Sequence, residues 1–286
     1  MSYAPHSRIR PRRSLLLSSP LKAGAFGDAI RSGADVVCID LEDAYNAGKP
    51  GDGRVALKTL VGERDPNSAS QIVTRINTPK SAEGVRDLTY ILDNKIAIDG
   101  LMLPKMDSAE EVRFVDHILT DAGLDNVELG VIIETASGLE HAPTMAAASP
   151  RITWIAFGGY DLSAALGIKM TWDAMLRART RVSHAAAMAG VQVFDCPAAG
   201  SDLEIVRDEA ETVQDLGFTG KACRSADQVP VVHAAMAPTD AELTHAKRVV
   251  DAADKGFTGT LVVDNKMIEP PTILAFRRQL AIAKAS

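Results

Sequence analysis

Residues 100–138 read GLMLPKMDSAEEVRFVDHILTDAGLDNVELGVIIETASG, and this stretch decides the fold. It opens on a short apolar run, Gly100–Pro104, and closes on another, Glu128–Glu134. Both are nearly continuous in apolar residues rather than alternating, the pattern of strands covered on both faces. Between them Ala109–Thr120 is a charged amphipathic stretch that reads as a helix, with Ser108 placed to cap its N-terminus. Strand, helix, strand is the repeating unit of a parallel sheet.

The unit recurs along the chain. Further strand-like runs are Ser14–Ser18, Asp35–Leu41, Gln71–Ile76, Thr153–Phe157, Val191–Asp195 and Phe218–Cys223. Further helical stretches include Ala82–Leu92, Ala174–Met188 and Leu203–Leu216, with Ser81, Asp173 and Ser201 as N-caps. Eight such units predict closure into a (β/α)8 TIM barrel, and 286 residues suit a barrel of roughly 250 with a terminal extension. An open doubly wound sheet usually carries a glycine-rich phosphate turn, and neither GxGxxG nor GxxxxGK[ST] occurs. Residues 1–237 are read as the barrel domain, ending in a helix near Gln228–Met236. Residues 238–286 form a C-terminal helical extension, with helices over Ala241–Lys255 and from Thr272 around a short apolar run, Thr260–Val263. Gly48–Gly53 reads as a Gly/Pro-rich turn.

Composition narrows the function classes. With 46% hydrophobic and 24% charged residues the chain is an ordinary globular protein. A net charge of −6 offers no field for a phosphate backbone, and the clustered positive charge is confined to Arg8, Arg10, Arg12 and Arg13, so nucleic acid is not an expected partner. No run approaches the ~20 apolar residues of a membrane span, and the basic start lacks an apolar signal segment, so the cytoplasm is the expected location. Cys38, Cys196 and Cys223 are odd in number and far apart, which suits buried small hydrophobes rather than disulfides or a metal site.

In such a barrel the chemistry sits at the C-terminal ends of the strands. Those ends carry Asp40, Glu42 and Asp43, then Arg75 and Asn77, Lys105, Glu134, Asp161 and Asp195. A solvated rim is polar too, so the weight lies in the combination. Glu134 and Asp161, 27 residues apart, fall on neighbouring strands facing one mouth. Carboxylates that close raise each other's pKa unless a cation neutralises them. Oxygen donors select a hard cation, and two of them leave positions for water and substrate, the usual Mg²⁺ arrangement. None of the six histidines falls at a strand end, which argues against zinc. Gly158 and Gly159 either let backbone approach a ligand or serve a turn that needs positive φ. Arg75 ends an apolar strand and needs an anion; its fork suits a carboxylate. A metal and an arginine aimed at one small acid describe a site for a 2-oxo acid or enolate, as in aldol and Claisen-type cleavage.

The motifs RSLLLSSP, ADVVCIDLEDAY, VTRIN, LMLPK, VIIETASG, FGGYDL, LGFTGKA and NKMIEPP follow one another along almost the whole chain. In that order they resemble the citrate lyase β-subunit and malyl-CoA lyase family. The resemblance implies that Glu134 and Asp161 bind Mg²⁺, that Arg75 holds the carboxylate of the small acid, and that Asp40 and Glu42 orient the pocket and metal-bound water. It also implies a homotrimer in which the C-terminal segment covers a neighbouring subunit's barrel mouth and delivers an acidic residue. That position is Glu269 here, where the family usually has Asp, and misplacement by a bond length can lower a rate roughly 10²-fold. After Lys221 the family's IHPxQ is replaced by Cys223-Arg224-Ser225-Ala226-Asp227-Gln228, so the region for the thioester carrier differs. The opening PG has lost its glycine as well, Pro20 being followed by Leu21. The expected activity is Mg²⁺-dependent cleavage of a 3-hydroxydiacid thioester, on CoA or an acyl carrier, to an acyl thioester and a 2-oxo acid. The alternatives are a class II aldolase on free hydroxy-oxo acids, disfavoured because Asp40-Leu41-Glu42-Asp43 lacks that group's histidine, and a non-catalytic carrier-binding lyase subunit.

Overall fold

The computed structural model describes residues 10, 12–42, 49–256 and 260–285; Arg8, Asp43 and Gly48 lie outside them. Eight parallel strands pair in chain order and close through the first and last: β1 (Ser14–Ser18), β2 (Val36–Asp40), β3 (Gln71–Arg75), β4 (Gly100–Leu103), β5 (Glu128–Ile133), β6 (Ile152–Phe157), β7 (Gln192–Asp195) and β8 (Gly220–Cys223). The apolar runs are continuous because each strand has cover on both sides, and the expected (β/α)8 barrel is what forms. The helices α1 (Ala25–Arg31), α2 (Pro50–Gly62), α3 (Ala82–Asp93), α4 (Ala109–Asp121), α5 (Ala136–Ala146), α6 (Gly159–Leu166), α7 (Trp172–Ala189), α8 (Leu203–Asp215) and α9 (Gln228–Met236) follow or flank the strands.

Local chemistry sets the helix starts. Ser81 and Ser108 cap α3 and α4 as expected, each side chain accepting from a backbone N–H three residues on. Two other expected caps are corrected. Asp173 lies inside the first turn of α7, where its charge suits the helix dipole, and Thr171 holds the N-cap position. Asp202, not Ser201, caps α8 by accepting from the Glu204 N–H. The turn expected up to Gly53 is instead a helix start, since the fixed φ of Pro50 suits the first position of α2 and Gly53 is buried within it.

Inside the sheet, Leu15, Val36, Cys38, Val73, Met102, Ile132, Trp154, Ala156 and Phe194 form one cluster, while a larger core fills the space between sheet and helices. Gly130 is required by Trp154, because a Cβ there would stand 2.1 Å from the indole. All three cysteines are buried as expected, and burial pushes the Cys196 and Cys223 thiols up to about 12, which keeps them inert.

The N-terminal end of the barrel is closed by a buried polar plug. Arg12 Nε donates to Gln71 Oε1 at 2.9 Å, Nη1 to Gln192 Oε1 at 2.8 Å, and Nη2 to Glu128. Glu128 Oε2 also accepts from Gln71 Nε2 and Thr153 Oγ1, each at 2.8 Å. Arg13 grips Asp35 through its backbone N–H and guanidinium. Of the arginines clustered at the basic start, Arg12 and Arg13 are therefore structural.

The chain divides into two compact units, Arg12–Met236 and a second that includes Ala237–Ser286. In the second, α10 (Asp240–Asp254) starts with a reciprocal Thr239–Glu242 capping box. The hairpin β9 (Leu261–Val263) and β10 (Lys266–Ile268) turns at Asp264 and Asn265, whose φ values of 52° and 61° suit a tight two-residue loop. Together with α11 (Pro270–Ala285) these elements enclose Val249, Leu261, Ile268 and Ile273. Among the described residues no helix is long and apolar enough to cross a membrane.

Candidate active site

Register builds the first half of the site. Asp40 and Arg75 are paired positions on β2 and β3, with the same inward phase as Cys38 and Val73. Their side chains meet at the C-terminal mouth. Arg75 Nε donates to Asp40 Oδ1 at 2.8 Å and Nη2 to Oδ2, a bidentate bond, while Nη1 lies 2.7 Å from Glu42 Oε2. The Glu42 N–H donates to Asp40 Oδ1 at 3.1 Å, which fixes the chain just past β2. The other oxygen of Glu42 holds Lys105 Nζ at 2.8 Å.

Lys105, just past β4, joins this pair to Glu134. Its φ of 56° is unusual for a residue with a side chain. That backbone turn aims its N–H at Glu134 Oε1, 2.8 Å away. Glu134 is buried immediately after β5, and Asp161 sits exposed in the first turn of α6. Burial, then Glu42 and then Asp161, push the Glu134 carboxyl up to about 8, against the opposing pull of Arg75 and the Lys105 N–H. Burial lowers the Lys105 ammonium, but Glu42, Glu134 and Asp161 outweigh it and raise it.

Four carboxylates, Asp40, Glu42, Glu134 and Asp161, thus face two cations, Arg75 and Lys105. With all four carboxylates ionised, these six described groups are two positive charges short. One divalent cation restores neutrality, and oxygen donors without histidine suit a hard ion. Glu134 and Asp161, which raise the negative charge at one point of the mouth, could hold it. Among the described residues no three His, Cys, Asp or Glu side chains converge as a ready-made cage.

Gly158 serves no positive-φ turn, and the Glu134 side chain is what comes close to it. Its φ is −92°, and a Cβ there would stand 2.4 Å from Glu134 Cβ and 2.7 Å from Glu134 Oε2. Gly159 answers a different need, a Cβ there meeting Met170 Cε at 2.6 Å and Phe157 at 2.8 Å. Glu269 lies between β10 and α11, exposed, its carbonyl accepting from the N–H groups of Thr272 and Ile273.

The ionisable group at the end of β7 does not join the mouth. Asp195 has the outward phase of Val193, towards the helix layer. There Arg179 Nε of α7 meets Asp195 Oδ1 at 2.9 Å, and buried Lys221 Nζ lies 2.7 Å from Asp195 Oδ2 and 2.8 Å from Glu209 Oε2 of α8. The guanidinium of Arg179 stacks between Phe157 and Trp172, 4.9 and 4.6 Å from the ring centroids. Asn77 also turns from the site, its amide bonded to Leu41 O and Asp87. Sequence reasoning gave Lys105 no role; its place one residue past an LP-terminated strand was the available signal.

The sequence profile of the HpcH/HpaI aldolase/citrate lyase family matches residues 13–226. Citrate lyase subunit beta of Leuconostoc mesenteroides subsp. cremoris is 28% identical over 97% of this chain and 95% of its own. A (3S)-malyl-CoA thioesterase of Cereibacter sphaeroides (strain ATCC 17029 / ATH 2.4.9) is 31% identical over 97% and 96%. The crystal structure of CitE from Mycobacterium tuberculosis in complex with magnesium, acetoacetate and coenzyme A is 28% identical, covers 95% of this chain and 98% of its own, and superposes with a TM-score of 0.78. The barrel, the charge-deficient mouth and these relatives lead to one assignment: the chain belongs to the HpcH/HpaI aldolase/citrate lyase family.

Proposed function

We propose that this protein is a Mg²⁺-dependent carbon–carbon lyase that cleaves a malyl-, citramalyl- or citryl-type thioester to an acyl thioester and a 2-oxo acid. The observation that carries the reading is the two-charge deficit around Glu134, a buried carboxylate pushed up to about 8 by burial and by Glu42 and Asp161. Relatives crystallised with magnesium and coenzyme A, or with magnesium and oxaloacetate, support it.

Glu134 and Asp161 would hold the ion, which would supply positive charge where negative oxygen develops. Asp40 and Glu42 lock the plane of Arg75, so its guanidinium meets the carboxylate of the oxo-acid half already oriented. The bond between the hydroxyl-bearing carbon and the α-carbon of the thioester breaks; the hydroxyl passes its proton to a carboxylate of the mouth and becomes the oxo group, and the α-carbon keeps the electron pair. Glu269, delivered by a neighbouring subunit of a homotrimer, protonates that carbon. The exposed position of Glu269 at a helix start leaves it available for this role. The thioester carrier is CoA or an acyl carrier, and the cytoplasm is where both are met.

A second reading, hydrolysis of the thioester, is favoured by the malyl-CoA thioesterase relative. Mass spectrometry of malyl-, citramalyl- and citryl-CoA incubated with Mg²⁺ or EDTA separates the outcomes. An acyl-CoA plus a 2-oxo acid, seen only with Mg²⁺, is the expected result. Free CoA plus the intact hydroxyacid points to hydrolysis, and no turnover of any of the three overturns the proposal.

A further inference from the structure

Arg224 stands one residue past β8, on the rim of the mouth that carries Asp161. The guanidinium lies over the ring of Tyr160, 5.0 Å from its centroid, and Tyr160 immediately precedes Asp161 in α6. The ring in turn packs against the core between sheet and helices, so it is a fixed platform. The backbone of Arg224 is also held, its N–H donating to Oε1 of buried Gln228 at 2.9 Å while Gln228 Nε2 reaches Gly200 O. Its side chain is exposed, and among the described residues no carboxylate lies within ion-pair distance of it. It therefore differs from Arg12, Arg75 and Arg179, each locked onto an acid. A planar fork laid on an aromatic face keeps its outer edge for a carboxylate or phosphate.

β3 and β8 are separated by three steps around the barrel, as are β3 and β6. Arg224 and Arg75 consequently follow strands that lie well apart around one mouth. We infer that Arg224, braced on Tyr160, recognises a second anionic group of the substrate, so that this site selects ligands negatively charged at both ends. The inference rests on the function proposed above. The second group is either the distal carboxylate of the oxo-acid half or a phosphate of the thioester carrier.

Calorimetric titration of the Mg²⁺-loaded full-length protein with two probe pairs tests this. Oxaloacetate against pyruvate adds a distal carboxylate; coenzyme A against pantetheine adds phosphates. Arg224→Gln is expected to cut the affinity ratio within one pair by ~10-fold or more, the scale of one charged hydrogen bond. Arg224→Lys should restore part of that ratio, and thermal melting should show both variants folded. A fall in the first ratio assigns the carboxylate, and a fall in the second the phosphate. If both ratios stay within about twofold of wild type, the inference is wrong. If the wild-type protein binds none of the four probes with Mg²⁺ present, the functional reading itself fails and this inference with it.

Discussion

Two ionic clusters sit at the same end of this barrel, one at the mouth over β2–β6 and one on the flank of β7 and β8, and they differ in arithmetic. On the flank, Arg179 and Lys221 meet Asp195 and Glu209, two against two, with distances of 2.7–2.9 Å and aromatic walls on both sides of the guanidinium. The mouth sets Arg75 and Lys105 against four carboxylates. A neutral, saturated cluster holds structure together; a cluster short of two positive charges is built around something that brings them. The plug of Arg12 and Glu128 at the opposite end is neutral as well. Position at a strand end therefore does not mark function by itself, and the charge balance does.

The largest expected effect breaks the flank. Lys221→Met leaves Asp195 facing Glu209 with one cation instead of two, and removing one partner of a buried pair costs about 3–5 kcal/mol. Thermal or urea unfolding should show that loss, while Mg²⁺ affinity of the folded fraction stays within about twofold. Adding Glu209→Gln to Lys221→Met should recover part of the stability, since Glu209 is the carboxylate left without a cation while Asp195 keeps Arg179. A flank that served the metal would instead lose affinity in step with stability.

Next is the mouth. Glu134→Gln removes one of the two candidate ligands and is expected to lower Mg²⁺-dependent turnover on the order of 10²–10³-fold. Its melting temperature without metal should equal or exceed the wild type's, because the amide carries no charge to bury. Full activity of Glu134→Gln in EDTA would sink the assignment.

How much of this could be read from the sequence depends on which face of a strand was in question. The eight strands were legible because a barrel stave covered on both sides is apolar throughout, as VVCID and GVII show. The same property hid the direction of each strand end. Asp40, Arg75 and Glu134 share the inward phase of Cys38, Val73 and Ile132, whereas Asp195 shares the outward phase of Val193, and no polar alternation distinguishes the two faces. Asp195 was therefore grouped with the mouth although it belongs to the flank. Four helices, α1, α2, α5 and α6, were not singled out. Two of them, α1 and α6, are only 7 and 8 residues long, and α5 carries Pro143 in its interior. The motifs named Glu134, but only the structure shows that it is buried, short of cations and touched by the backbone of Lys105.

A pH experiment on the chelated protein sharpens the contrast further. The folded Glu134 carboxyl titrates at about 8 and the unfolded one near 4.5. The folded chain therefore binds the proton more tightly, so stability is highest below about pH 4.5 on this account and falls as pH rises towards 8. The melting temperature should drop by several degrees across that window, at about 2–4 °C per kcal/mol. Glu134→Gln should flatten the slope, and saturating Mg²⁺ should do the same in the wild type. A slope that survives both would place the titrating group elsewhere.

The smallest expected effect concerns a hydrogen atom replaced by a methyl. Gly158 has φ −92°, a conformation any residue adopts, so Gly158→Ala introduces no backbone strain. What it introduces is a carbon 2.4 Å from Glu134 Cβ and 2.7 Å from Glu134 Oε2. Glu134 cannot simply retreat, because its other oxygen is held by the Lys105 N–H at 2.8 Å and Ile132 Cγ2 stands 2.8 Å from the same added carbon. The carboxylate must rotate off its aim, and misorienting a metal ligand typically lowers affinity 10–100-fold. Calorimetric Mg²⁺ titration of Gly158→Ala should therefore show a loss near tenfold with the fold retained. Gly159→Ala, crowding Met170 and Phe157 instead, should act through stability and leave the affinity nearly as it was.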